Sequence, residues 1–134
     1  MRKEVELWVK AADEDLEDAE IALSRGRWFR AAFFSQQAVE KALKALFFTV
    51  RREEPPHIHI VTELYILLKE SGFSLPKNTE DQLFILNKYY TITRYPDAAS
   101  GLPSESVDKV EALRAYNLAS EVVRYVREFL RESH

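Results

Sequence analysis

The sequence has no cysteine, one methionine, three glycines and five prolines in 134 residues. Without cysteine there can be no disulfide, no thiolate metal ligand and no thiol nucleophile, and the composition fits a cytoplasmic protein. No apolar run approaches the ~20 residues of a membrane-spanning helix. The N-terminus opens on Arg2-Lys3-Glu4 and then alternates charged with apolar residues, so no secretion signal is expected there. Charge is nearly balanced, with 19 Lys+Arg against 22 Asp+Glu and a net charge of -3. That excludes a basic domain that coats nucleic acid over its whole surface, but not a local basic patch. Glycine-rich phosphate loops and G-x-S-x-G elbows are missing as well.

The breakers that are present fall in clusters. Gly26, Pro55-Pro56, Gly72, Pro76, Pro96, Gly101 and Pro103 leave five long segments, 1–25, 27–54, 57–71, 77–95 and 104–134. Glycine and proline disfavour helix interiors by about 1 and 3 kcal/mol relative to alanine, so this spacing marks helices. The first segment carries Val5, Trp8, Ala12, Leu16, Ala19 and Leu23 on one face, with Glu14, Glu17 and Asp18 opposite. Its paired acids Asp13 and Asp15 are expected to face water. The second segment is apolar on almost every side and includes a small-residue row, Ala31, Ser35, Ala38, Ala42 and Ala45, so it belongs at the centre of the domain. The third runs over roughly 59–71. The fourth holds Leu83, Leu86 and Tyr90 in one row and Ile85, Tyr89 and Ile92 in another, and ends near Arg94 because Pro96 follows. The fifth starts from an N-cap at Ser104 or Ser106 and turns Val110, Leu113, Leu118, Val122, Val126 and Phe129 inward. The expected fold is all-α: one domain, 1–134, built as an antiparallel up-and-down bundle of four long helices plus a shorter fifth.

Three polar clusters stand out. On the central helix, Arg30, Gln37, Lys41 and Lys44 recur at helical spacing, and residues 27–52 hold six basic side chains against one acid, Glu40. Such a row suits a phosphate or an RNA backbone; it also suits a solvated helix edge with Glu40 and Lys44 as an i,i+4 pair. The second cluster is Tyr89-Tyr90-Thr91-Ile92-Thr93-Arg94-Tyr95-Pro96-Asp97. There Arg94 offers a planar fork for phosphate and the tyrosines offer faces for bases, or Arg94 caps the helix end in an ion pair with Asp97. The third is Pro55-Pro56-His57-Ile58-His59. H-x-H lacks the third ligand of a catalytic zinc, so no metal is assigned. His59 is instead a hydrogen-bonding residue ahead of the third helix or a general acid or base. The adjacent aromatic pairs Phe33-Phe34, Phe47-Phe48 and Tyr89-Tyr90 cannot all reach one core. Some must meet flanking helices or a partner.

These residues resemble the HEPN domain family (higher eukaryotes and prokaryotes nucleotide-binding). The matching stretches are FFSQQAVEKALKALF from Phe33 to Phe47, PPHIH with Thr62-Glu63-Leu64, and YYTITRYPD from Tyr89 to Asp97, with AADEDLEDA from Ala11 to Ala19 fitting the first helix. The resemblance implies a helical bundle, often a homodimer, of a small prokaryotic type. Members of that type are often encoded beside a minimal nucleotidyltransferase and sometimes pair with it as toxin and antitoxin. It also implies site residues at the matching positions Lys41, Lys44, His59, Tyr90, Arg94 and Asp97, expected to converge on an anion-accepting groove. In that reading Lys41, Lys44 and Arg94 take phosphate groups of a nucleotide or RNA, Tyr90 stacks and His59 adds a hydrogen bond, with no cofactor. Many members are ribonucleases with an Arg followed four to six residues on by His. Here Arg94 is followed by Tyr95 to Ser100 without a His. A metal-independent RNA endonuclease using His59 and Arg94 as catalytic residues is therefore an alternative, and a pure protein-interaction module is another.

Overall fold

The computed structural model describes residues 2–94 and 101–133. Among them there is no strand. The helices are α1 (Lys3–Ser24), α2 (Trp28–Leu46), α3 (Val61–Glu70), α4 (Lys77–Gln82), α5 (Asn87–Arg94) and α6 (Lys109–Glu132). A π-helical turn, Phe47–Arg51, prolongs α2, and a 3-10 turn, Leu83–Leu86, joins α4 to α5 without a break. The rods are thus those expected: four long ones and the short α3. None of the described helices is long and apolar enough to cross a membrane.

Two glycines end helices for the same reason. Gly26 has φ +70° and Gly72 has φ +114°, a region that L side chains avoid. After α1, Arg27 N–H bonds the Ala22 carbonyl at 2.9 Å and Gly26 N–H that of Leu23 at 3.1 Å. After α3, Phe73 N–H bonds Leu68 at 3.0 Å and Gly72 N–H bonds Lys69 at 3.3 Å. Both are Schellman closures, and the second buries Phe73 against the core.

α2 is the central rod, packed on α1, α6, α3 and α5. Its row Ala31, Ser35, Ala38, Ala42 and Ala45 is buried throughout, and Ser35 Oγ donates back to the Ala31 carbonyl at 2.7 Å. Small side chains let neighbouring backbones approach closely. In the fourth rod the buried apolar residues are Leu83, Leu86, Tyr89 and Ile92, a strict three-residue repeat that mixes the two rows expected. The 3-10 turn explains it: at three residues per turn Leu83 and Leu86 eclipse, and Tyr90 is left half-buried on the flank.

The start of α6 departs from expectation. Its N-cap is Asp108, whose carboxylate accepts from Glu111 N–H at 2.8 Å, whereas Ser104 falls in a separate 3-10 turn, Pro103–Glu105. With the helix beginning at Lys109, Val110 is 75% and Leu113 38% exposed, because both lie on the face of its first two turns that points away from buried Ala112 and Ala115. The inward stripe runs instead through Ala112, Ala115, Leu118, Ala119, Val122, Val123 and Val126. Asp13 and Asp15 also differ from expectation. Asp13 pairs with Arg127 of α6 and buried Asp15 with Lys41 of α2, so both acids tie α1 to its neighbours.

Candidate functional site

The site is built around one buried carboxylate. On α2, Gln36, Glu40 and Lys44 follow one another at i,i+4 and are all buried. A polar row inside an otherwise apolar helix must find partners or it destabilises the fold. It finds them in its own members and in the segment entering α3. Glu40 Oε1 accepts from Gln36 Nε2 at 3.2 Å, and Oε2 accepts from Lys44 Nζ at 3.0 Å. His59 Nδ1 lies 2.9 Å from the same Oε2. Gln36 Nε2 also donates to the His59 carbonyl at 3.0 Å, and Gln37 Nε2 donates to Gln36 Oε1 at 2.6 Å. Backbone and ring of His59 are therefore both held by α2.

The path to that position is set locally. α2 runs on through the π-helical turn, and Arg52 leaves it at φ 54°. Pro55 and Pro56 then hold the chain extended and bring His59 alongside Glu40, two residues before α3 begins.

Hydrogen-bond chemistry assigns the imidazole tautomer. A carboxylate that faces an ammonium group is an acceptor, so His59 Nδ1 carries the proton toward Glu40. In the neutral ring Nε2 is then the lone-pair nitrogen. The His59 side chain is 46% exposed, and its ring has no second hydrogen-bond partner among the described residues. The imidazole stacks on Tyr90 of α5, with centroids 4.9 Å apart and planes 13° from parallel.

α5 is anchored on both sides. Asn87 Nδ2 donates to Thr62 Oγ1 of α3 at 2.9 Å, and Lys88 Nζ reaches Glu111 of α6 at 2.8 Å. Between them Tyr89 is buried, and burial together with the nearby Glu111 carboxylate pushes its phenol well above the usual tyrosine range.

Of the residues picked out in the sequence, His59 and Tyr90 come together. Arg94 is the last residue of α5, four beyond Tyr90, and Asp97 lies outside the described residues. Lys41 and Lys44 take a different place from the groove expected. Lys41 Nζ is 2.8 Å from Asp15 Oδ2, reaching toward α1. Burial drives the Asp15 carboxyl above its ordinary range while Lys41 pulls it back. Lys44 is enclosed by Glu40 and by the Trp8 ring, 5.9 Å from its centroid. The Glu40–Lys44 pair is the i,i+4 pair weighed in the sequence, but it is buried where a solvated edge was expected. Arg30 is exposed. Glu40 and Gln36 are the residues the sequence reading left without a functional role. Their signal was there: three polar residues four apart on a helix apolar all round.

What this arrangement offers chemically is an imidazole of fixed tautomer and fixed plane, stacked on a phenol ring, beside the C-terminal end of α5. Among the described residues no three His, Asp or Glu side chains gather as a metal site.

Known proteins share this architecture. The family model described as HEPN domain matches residues 5–129. A Methanocaldococcus jannaschii protein named "Putative toxin MJ1304" is 27% identical, over 98% of this chain and 91% of its own length. Among solved structures, TT1696 from Thermus thermophilus superposes with a TM-score of 0.83 at 31% identity, over 95% of this chain and 98% of that one. ST0689, an archaeal HEPN homologue, gives 0.76 at 32% identity, covering 96% and 98%. A HEPN domain protein of Thermotoga maritima gives 0.71 at 31%, covering 92% and 97%. With a family match that spans nearly the whole bundle and carries the Glu40–His59–Tyr90 cluster inside it, the chain belongs to the HEPN domain family.

Proposed function

We propose that this protein binds RNA or a nucleotide through the His59–Tyr90 face and Arg94, and that it works as a homodimer with a minimal nucleotidyltransferase in a toxin–antitoxin pair. The observation that carries the reading is the imidazole fixed by Glu40 and stacked on Tyr90. A ring of set orientation next to a half-buried phenol gives a base a flat surface to meet, and an arginine one turn beyond Tyr90 on α5 suits phosphate. Asp97 follows Arg94 closely enough in sequence to orient it. Lys41 and Lys44 act here as supports: one locks α1 to α2, the other holds Glu40 in place. The relative named as a toxin supports the toxin side of the pairing.

Fluorescence anisotropy with a labelled single-stranded RNA at low salt tests the binding. Tyr90→Ala is expected to weaken it by about 1–3 kcal/mol, the usual worth of one stacked base, and Arg94→Ala should weaken it and flatten its salt dependence. RNA affinity unchanged in both variants sinks the assignment. Co-expression with a minimal nucleotidyltransferase encoded beside its gene, followed by size-exclusion chromatography, tests the partner and the dimer, and a gene neighbourhood without one overturns the pairing.

The Glu40–His59 pair specifically favours a second reading, RNA cleavage. His59 Nε2 would take the proton of a ribose 2′-hydroxyl, whose oxygen attacks the adjacent phosphorus. The 5′-oxygen leaves, taking a proton from water, and a 2′,3′-cyclic phosphate remains. RNA cut in the presence of chelator by the wild type, and left intact by His59→Ala, would establish it.

A further inference from the structure

Three guanidinium groups crowd the turn between α1 and α2, on the far side of Phe33 and Phe34 from the Glu40 network. Arg25, Arg27 and Arg30 are all exposed. Ten other Lys, Arg and His side chains form ion pairs, but these three have no ion-pair or hydrogen-bond partner among the described residues. Arg27 and Arg30 line two adjoining hollows, of about 450 and 350 Å³. The larger is walled by Phe29, Phe33 and Phe34, all half-buried. Phe29 and Phe33 stack at 6.1 Å and 26°, and Phe34 meets Phe33 edge-on at 5.7 Å. The smaller adds Arg25 and contains a single carboxylate, Asp18.

The larger hollow reaches the helix that carries Tyr90. Thr93 of α5, three residues past Tyr90, lines it. From Arg30 to Glu40 along α2 is ten residues, about 15 Å at 1.5 Å per residue. Phosphates of one strand recur about every 3.4 Å along a stacked helix, so that interval spans about four nucleotides.

We infer that the α1–α2 turn is a second subsite for single-stranded RNA, in which Arg25, Arg27 and Arg30 take backbone phosphates and the exposed face of the phenylalanine cluster takes a flanking base. The inference rests on the proposed function and deepens it: the ligand is a strand several nucleotides long, with one end at His59–Tyr90 and the other at this turn. Charge and shape together favour this occupant. Exposed guanidinium forks beside aromatic faces match alternating phosphate and base. A second copy of the chain docking on the same face across a two-fold axis would press arginine cluster against arginine cluster.

The test uses labelled single-stranded RNAs of two and ten nucleotides, with the wild type, the triple variant Arg25→Gln/Arg27→Gln/Arg30→Gln, and His59→Ala. The wild type is expected to bind the ten-mer at least tenfold tighter than the dinucleotide. The triple variant should lose that gain, keep its dinucleotide affinity and show a log–log salt slope smaller by about 2, at roughly 0.7 per lost phosphate contact. His59→Ala should weaken both lengths by the same factor. Because the three arginines have no partner to lose among the described residues, the melting temperature of the triple variant should match the wild type. A ten-mer bound equally well by the triple variant overturns the subsite and leaves the His59–Tyr90 site standing. Weakening by the triple variant but not by His59→Ala overturns the strand path, since it removes the His59 end. Polyglutamate competing as well as RNA makes the turn a dock for an acidic protein and overturns the proposal, and absence of RNA binding in the wild type removes both readings.

Discussion

Glu40 and Glu80 are built alike and end differently. Each accepts from the ring of a residue on another element and from a lysine. Glu80 takes the Tyr65 hydroxyl at 2.5 Å and Lys69 Nζ at 2.7 Å, with Lys77 3.8 Å away. These donors hold its carboxyl below the usual glutamate range. The Tyr65 hydroxyl in turn accepts the Leu75 N–H at 3.0 Å, so it donates and accepts at once. Burial first, and then the bond to Glu80, push its pKa up to about 12. Everything polar in that cluster is engaged, and its effect is to strap α3, the following linker and α4 together. At Glu40 the ring group is an imidazole with a second nitrogen. One nitrogen fixes the ring and the other is left over. The same carboxylate architecture makes a strap when its partner has one polar atom and a poised group when its partner has two.

The largest expected effect breaks the Glu40 side of that comparison. Glu40→Ala leaves Lys44 buried without its carboxylate, and removing one partner of a buried pair costs about 3–5 kcal/mol. Urea denaturation would measure it, and the double change Glu40→Leu/Lys44→Met should recover most of the loss. Tyr65→Phe comes next. It strands the Leu75 N–H and removes a donor from Glu80, for about 1–3 kcal/mol in the same assay.

Tyr65 also gives a pH signature. Its folded pKa of about 12 lies above the ordinary tyrosine value of 10, so the folded state holds its proton longer than the unfolded state does. The stability it contributes is complete below pH 10 and is lost as pH rises from 10 through about 12. Tyr65→Phe should flatten the alkaline fall of the melting temperature, and Tyr89, whose phenol is also raised, contributes to what remains. His59→Ala comes third: the ring is nearly half exposed, so stability should fall by less than about 1 kcal/mol while RNA binding drops. A loss as large as that of Glu40→Ala would show that His59 is a strap like Tyr65 and erase the distinction. The smallest effect is Lys77→Ala, which removes a fully exposed lysine from the edge of the Glu80 cluster and should leave the melting temperature unchanged.

The rods were legible because their limits are written in glycine and proline, and because α2 is apolar all round. The start of α6 was not. Serine and aspartate are both good N-caps, and only the fit of Val107 into the core decides for Asp108. The lysines show a different limit. Spacing puts Lys41 and Lys44 on neighbouring positions of α2, but it does not reveal that Asp15, three turns into α1, is buried opposite one of them. Sequence periodicity describes a helix face; pairing across faces depends on how two helices rotate against each other. His59 and Tyr90 were found separately, each through its chemistry. Their stacking rests on the segment entering α3 and on the turn before α5, which local patterns do not encode.

That turn has a further consequence. Four residues wound at three per turn advance by about 120° each, against 100° in an α-helix, and rise about 2.0 Å each instead of 1.5 Å. Leu83–Leu86 therefore rotates α5 by roughly 80° and shifts it by about 2 Å relative to a uniform rod. The tyrosine meets the imidazole only at that azimuth. Four apolar residues thereby act as the angular setting of the site, and an insertion or deletion there would swing Tyr90 out of register while leaving every residue of the cluster in the chain.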